Sequence, residues 1–261
     1  METQRTIKGM TAGLPACAVV LVLMAAPAFA GISGSKHDLG SGGSSQLGAN
    51  MTTDEICVFC HTPHGSDTTA AVPLWNKSLP GTAYTTYASL GSTTIAGEIM
   101  SVGSVSVACL SCHDGSQAMD VMINKPGSGG YNAAGSELVG PDGTHKMTGT
   151  PIPVIGSDLK NDHPVGIQYG GNTHPAGEYT GLTTASINGK SVWWIEDTVD
   201  AKRGKDEIML YTRDNGSGDE PFVECASCHD PHNDSTASAT SVAFLRKSNA
   251  GSALCLTCHI K

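Results

Sequence analysis

Aromatic residues are scarce in this 261-residue chain, with 3 Trp, 6 Tyr and 4 Phe making 5 % of it. Charge is thin at 15 % and tilts acidic, 24 Asp and Glu against 15 Lys and Arg. No apolar run past the first thirty residues is long enough to cross a bilayer. The thin positive charge argues against nucleic acid and anionic membrane surfaces as partners. The shortage of large apolar side chains, beside 32 glycines and long Ser/Thr/Gly stretches, is a poor basis for a self-sufficient core. Either much of the chain stays unfolded or something that is not protein fills its middle.

Residues 1–30 have the form of an export signal: basic Arg5 and Lys8, apolar Leu14 to Ala26, and the small-x-small site Ala28-Phe29-Ala30. Leu14-Pro15-Ala16-Cys17 loosely resembles a lipoprotein signal, but cleavage there would leave the main apolar stretch on the mature terminus. Release at residue 30 is therefore expected, with a destination in the periplasm or outside the cell. Losing Arg5 and Lys8 from the 15 basic residues and Glu2 from the 24 acidic ones moves the net charge from −9 to −10. Cys17 also leaves, so eight of the nine cysteines remain.

All eight fall into one pattern: Cys57-Val-Phe-Cys60-His61, Cys109-Leu-Ser-Cys112-His113, Cys225-Ala-Ser-Cys228-His229 and Cys255-Leu-Thr-Cys258-His259. C-x-x-C-H is the attachment sequence of c-type haem. Two cysteines three apart on one turn can form thioethers to the two vinyl groups at one porphyrin edge, and the next histidine is held under the iron. A redox disulfide or half a zinc site also uses C-x-x-C. Neither needs a histidine after every pair, and with 10 histidines in the chain that coincidence is on the order of one in a million. Four covalently bound haems follow, with His61, His113, His229 and His259 as proximal ligands. The bound haem supplies the apolar area the sequence lacks, so the haem-free chain is expected to be unfolded.

Six histidines remain: His37, His64, His145, His163, His174 and His232. His64 and His232 stand alike, in Cys60-His61-Thr62-Pro63-His64 and Cys228-His229-Asp230-Pro231-His232. Three extended residues span at most about 10–11 Å, less than the backbone separation of two imidazoles on opposite faces of one iron. Each is therefore expected to reach the iron of a neighbouring haem, redirected by the proline between. His163, before Pro164, lies on an extended segment. His37 is followed by Asp38, and capping is its plainest use. His145 and His174 lie in Gly-rich loops and are spares.

Ser35-Lys36-His37-Asp38, Cys57 to His64, Pro73-Leu74-Trp75-Asn76, Cys109 to Gly115, Asp162-His163-Pro164, Cys225 to His232 and Gly251 to His259 together resemble the doubled-CXXCH multihaem c-type cytochromes, over nearly the whole chain after residue 30. The resemblance implies that His37, His64, His163 and His232 are the distal ligands. It implies a tetrahaem protein similar to cytochromes of metal-reducing anaerobes, some of which polymerise into extracellular haem filaments. His145 and His174 are outside that pattern.

The expected fold is mostly irregular, with few short helices and a β-hairpin, wrapped around four haems in one domain over 31–261. Residues 31–50 form a Gly/Ser-rich flexible arm carrying His37. Thr52-Thr53-Asp54-Glu55 has the capping-box form and predicts a short helix into the first motif. Val105 to His113 predicts another, stopped at Gly115. Ser191 to Val199 and Glu207 to Thr212 are β-like and predict an antiparallel hairpin, with Trp193 and Trp194 as packing residues.

Two imidazoles on every iron leave no site for substrate, so electron transfer without enzymatic turnover is expected, in anaerobic or extracellular respiration. Its partners would be upstream and downstream redox proteins or an extracellular acceptor. The alternative is a multihaem reductase with one open iron. Self-association is compatible with the first reading, and the arm suggests a form of it, His37 ligating a haem of the next subunit. Ligation within the chain is the other possibility.

Overall fold

The computed structural model describes residues 31–43, 47, 51–95, 97–127, 131–136, 145–147, 154–170, 178–196, 203–233 and 244–260. The signal expected over residues 1–30, with Cys17, and His174 lie outside the described residues.

Helix α1 (Ser104–His113) carries the second motif at its C-terminal end. It stops where Asp114 N–H bonds the Leu110 carbonyl at 3.0 Å and Gly115 turns to φ +72°. That conformation favours glycine. The helix expected from Thr52 does not form; residues 51–56 are irregular, with bends at 52 and 56. Its capping residues bond elsewhere: Thr53 Oγ1 accepts the Glu55 N–H at 3.1 Å, and the Glu55 carboxylate accepts Gly127 N–H at 3.0 Å.

Strands β1 (Met122–Asn124) and β2 (Tyr131–Ser136) pair antiparallel. The larger sheet comprises β3 (Ile167–Gln168), β4 (Thr183–Ile187), β5 (Lys190–Ile195), β6 (Ile208–Asp214) and β7 (Asp219–Val223), in the order β3-β7-β6-β5-β4 and antiparallel throughout. At its centre are the two strands that the β-like runs predict, paired Trp193↔Leu210 and Trp194↔Met209. The strand before them, β4, joins β5 through Asn188-Gly189, both at positive φ, 52° and 74°. Asn-Gly is the preferred pair for such a two-residue turn, because both positions must be left-handed.

Each part of the chain has its own core. Tyr169, Ile195, Ile208 and Leu210 pack on the sheet, with Leu254 and Cys258 against them. This sets α3 (Ala253–Cys258), which carries the fourth motif, beside the sheet. Around the first two motifs the core is Leu39, Leu47, Met51, Phe59, Met119, Met122 and Met147, packed on Cys60 and Cys112. Thioether side chains suit an irregular filling. Lys77 is buried among them, its ammonium donating to the carbonyls of Ala118, Met119 and Val121 at 3.1, 3.0 and 2.7 Å.

Residues 31–43, the first part of the expected free arm, are folded against this body. Ser35, Asp38 and Leu39 are buried. The Asp38 carboxylate accepts Gly34 N–H at 2.8 Å and Gly40 N–H at 3.1 Å, and Gly31 N–H donates to the His232 carbonyl at 2.8 Å. A side chain on Gly43 would collide with the Asp38 carbonyl 1.9 Å from its first carbon. The capping expected beside His37 is thus done by Asp38.

Candidate haem-binding site

Each motif is one turn that closes on its histidine. His61, His229 and His259 donate their N–H groups to the carbonyls of Cys57, Cys225 and Cys255 at 2.8, 3.1 and 2.9 Å. Cys109 to His113 is the last turn of α1. The third motif is the short helix α2 (Cys225–Cys228), delivered by the end of β7, with a capping box between Glu224 and Ser227. This i to i−4 closure brings two cysteines and the following histidine to one side of a turn.

The first and third motifs share a second layer of structure. Asn76 N–H bonds the Cys60 carbonyl and Thr62 N–H the Leu74 carbonyl, both at 2.8 Å. Arg246 N–H bonds the Cys228 carbonyl and Asp230 N–H the Phe244 carbonyl, again both at 2.8 Å. Leu74 and Phe244 are both left-handed, φ 57° and 65°, although neither is glycine. Asn76 Nδ2 donates to the Val58 carbonyl at 2.6 Å, and Arg246 Nε donates to the Ala226 carbonyl at 3.0 Å. Each acceptor is the residue after the first cysteine. Leu74-Trp75-Asn76-Lys77-Ser78 and Phe244-Leu245-Arg246-Lys247-Ser248 are thus the same device used twice. The sequence reading missed this repeat, because only Lys and Ser are shared between the segments.

The cysteine pairs adjoin in chain order. Burial, and then neighbouring Cys112, push the Cys60 thiol up to about 12. A hydrogen bond with Cys225, followed by burial, raises Cys109, and the same bond lowers Cys225. Burial pushes Cys228 up to about 11 and Cys258 to about 12, and these two motifs also act on one another. The motifs therefore meet as first with second, second with third, and third with fourth. None of the eight described cysteines is in a disulfide.

Two histidine pairs stand out. The rings of His37 and His113 have centroids 6.2 Å apart, and those of His61 and His232 are 6.1 Å apart. Two imidazoles on one iron, each through a bond of about 2 Å, hold their ring centres roughly 6.3 Å apart. The residues present fit the group on this spacing and on the chemistry of the donor set. His61 Nδ1 lies 2.8 Å from the Pro73 carbonyl, a hydrogen bond that leaves Nε2 for a metal. His232 Nδ1 lies 3.3 Å from the Asp230 carboxylate.

His37 stacks on Phe244 at 4.1 Å, and burial, followed by nearby His113, pushes its pKa down to about 4. Within the chain its ring faces that of His113. His64 and His163 are exposed and stay outside these two pairs; His163 Nδ1 lies 3.1 Å from the Pro164 carbonyl. His145, a spare in the sequence, is fully buried with its Nδ1 2.5 Å from the Asp120 carboxylate.

A family model described as the doubled CXXCH motif matches residues 220–261, which hold the third and fourth motifs. This segment carries the haem-attachment motif of multihaem c-type cytochromes. No curated protein and no solved structure matches the chain. The match assigns covalent haem c binding, and with it electron-transfer chemistry, to this part of the molecule. Residues 57–113 repeat its layout of two motifs, the first followed by the left-handed Leu74 or Phe244 segment.

Proposed function

We propose that the chain is an exported tetrahaem cytochrome that conducts electrons through bis-histidine haems and performs no enzymatic turnover. Cys57 and Cys60, Cys109 and Cys112, Cys225 and Cys228, and Cys255 and Cys258 would each hold one haem c. Bound haem iron supplies a one-electron change with no atom transferred. The observation that carries the reading is the spacing of His37 from His113 and of His61 from His232, both that of ligands sharing one iron.

On this reading the distal histidines cross between the two halves. His232, just after the third motif, serves the first. By the repeat, His64, just after the first, serves the third. His37 lies upstream of the first pair of motifs and serves the second. His163 lies upstream of the second pair and by the same logic serves the fourth. Such crossing ties two motifs at one point and keeps their cofactors close. The chain-order contacts between cysteine pairs give electrons a route from the first motif to the fourth. Partners are redox proteins or an extracellular acceptor at the two ends of that route. Self-association into filaments is compatible with this design, and the nearness of His37 to His113 favours ligation within the chain for that histidine.

The test is the intact mass and the absorbance spectrum of the secreted holoprotein. Four added haems with wholly six-coordinate, low-spin iron are expected. A colourless product with the bare polypeptide mass would end the reading. One high-spin iron in four that binds an added ligand would replace it with the reductase.

A further inference from the structure

Glu224 is one of the most deeply buried ionisable side chains described, 1 % exposed. It lies where the second and third motifs touch. It immediately precedes Cys225, whose thiol is hydrogen-bonded to that of Cys109. Its carboxylate accepts Ser106 Oγ–H at 2.5 Å, from the turn of α1 just ahead of Cys109. Arg213 Nη1 of β6 is 3.3 Å from its other oxygen, and the Ser227 N–H of its capping box completes the set. Arg213 in turn is enclosed: a side chain on Gly103 would meet its guanidinium at 2.8 Å, and it stacks over Phe222 at 5.5 Å. The groups that face Glu224 are therefore Arg213 from the sheet, Ser106 from α1 and Cys225 on its own helix, with Cys109 behind. Arg213 is the charged one among them. Neither haem attachment nor axial ligation uses this carboxyl.

We infer that Glu224 is a proton-coupling residue: it takes up one proton when an electron arrives at the second or third motif and releases it when the electron leaves. This rests on haem being held at both motifs. The electron comes from an upstream one-electron donor, the proton from water, and both go back on re-oxidation. The direction follows from charge. Reduction removes one positive charge from a poorly solvated seam, which raises the proton affinity of a carboxylate there. A unit charge some 10 Å away at an effective dielectric of about 20 changes that affinity roughly tenfold. Burial already pushes the Glu224 pKa up to about 7, against Ser106 and Arg213, which pull it down. The carboxyl is thus poised to change protonation near neutrality.

The test is a potentiometric titration of the holoprotein, followed by haem absorbance, between about pH 6 and pH 8. In the wild type the midpoint of one component falls as pH rises, by up to about 59 mV for a tenfold change in proton affinity. In Glu224→Gln, which keeps the shape but cannot ionise, the same component is flat. The reduced-minus-oxidised infrared spectrum loses a protonated-carboxyl band in that variant. Arg213→Gln removes the cation and moves the sloping region to higher pH, an independent check should Glu224→Gln fold poorly. Retention of the slope in Glu224→Gln, or an unmoved region in Arg213→Gln, overturns the inference. Peptide masses over Cys109–Cys112 and Cys225–Cys228 separate the two readings. Haem on both with an unchanged slope defeats this inference alone, and bare cysteines defeat it together with the tetrahaem reading.

Discussion

The two halves of this chain use the same local device on different supports. Around Cys57 to His113 the support is loop and methionine, pinned by the ammonium of Lys77 on three carbonyls. Around Cys225 to His259 it is a five-stranded sheet that leads directly into α2 and packs Leu210 and its neighbours on Cys258. A sheet closes its own hydrogen bonds and brings its own apolar face. A loop scaffold has neither and depends on what it encloses. On that difference we expect the first half to depend on its cofactors for folding more than the second half does.

The largest test of that contrast removes cofactor from one half at a time. Cys57→Ala with Cys60→Ala should cost one haem and open residues 31–127 to protease. Cys255→Ala with Cys258→Ala should cost one haem and leave the sheet protected; intact mass and limited proteolysis read both. Equal sensitivity of the halves would erase the distinction. Next, Lys77→Met removes the ammonium from three inward carbonyls, of which Ala118 keeps the Val121 N–H, and should destabilise the first half by about 3–5 kcal/mol in denaturant melts. Trp194→Ala, a buried aromatic at the sheet centre, should cost a similar ~3–5 kcal/mol but without loss of haem. The two substitutions should then differ in haem content more than in stability.

A subtler expectation concerns the histidines. His232→Ala should turn the first haem high-spin and spare the third, although it lies three residues from the third motif; resonance Raman on half-apo variants assigns the change. The smallest effect is one of orientation. The planes of His37 and His113 cross at 81° and those of His61 and His232 at 15°. Crossed planes leave two iron orbitals nearly degenerate and parallel planes split them. Electron paramagnetic resonance of the oxidised protein should show one strongly anisotropic and one rhombic low-spin signal from these two centres.

Much of the chemistry was legible because it is local. A C-x-x-C-H turn carries its geometry in five residues, and the spacing of His232 already pointed away from its own motif, as its place beside His61 agrees. The stop of α1 at Gly115 and the antiparallel pairing of β5 with β6 were legible for the same reason. What escaped depended on distant partners. Thr52 to Glu55 has the letters of a helix start, but Gly127 takes the carboxylate that would close the box. The arm around His37 looked loose by composition, yet Asp38 knits it into turns. The shared Leu74 and Phe244 conformation left no mark in residue type, since neither is glycine. Burial of Glu224 is fixed by α1 and β6, more than a hundred residues and about ten residues away, and no window around Cys225 contains them both.

His61 precedes His232 by 171 positions. If those two rings grip one iron in a chain exported as proposed, the earliest cofactor to be attached remains half-ligated until almost the whole polypeptide has crossed the membrane. Maturation then runs against the order of synthesis. The first centre to be loaded is among the last to be finished, and a chain truncated before its third motif would emerge carrying an exposed, reactive iron.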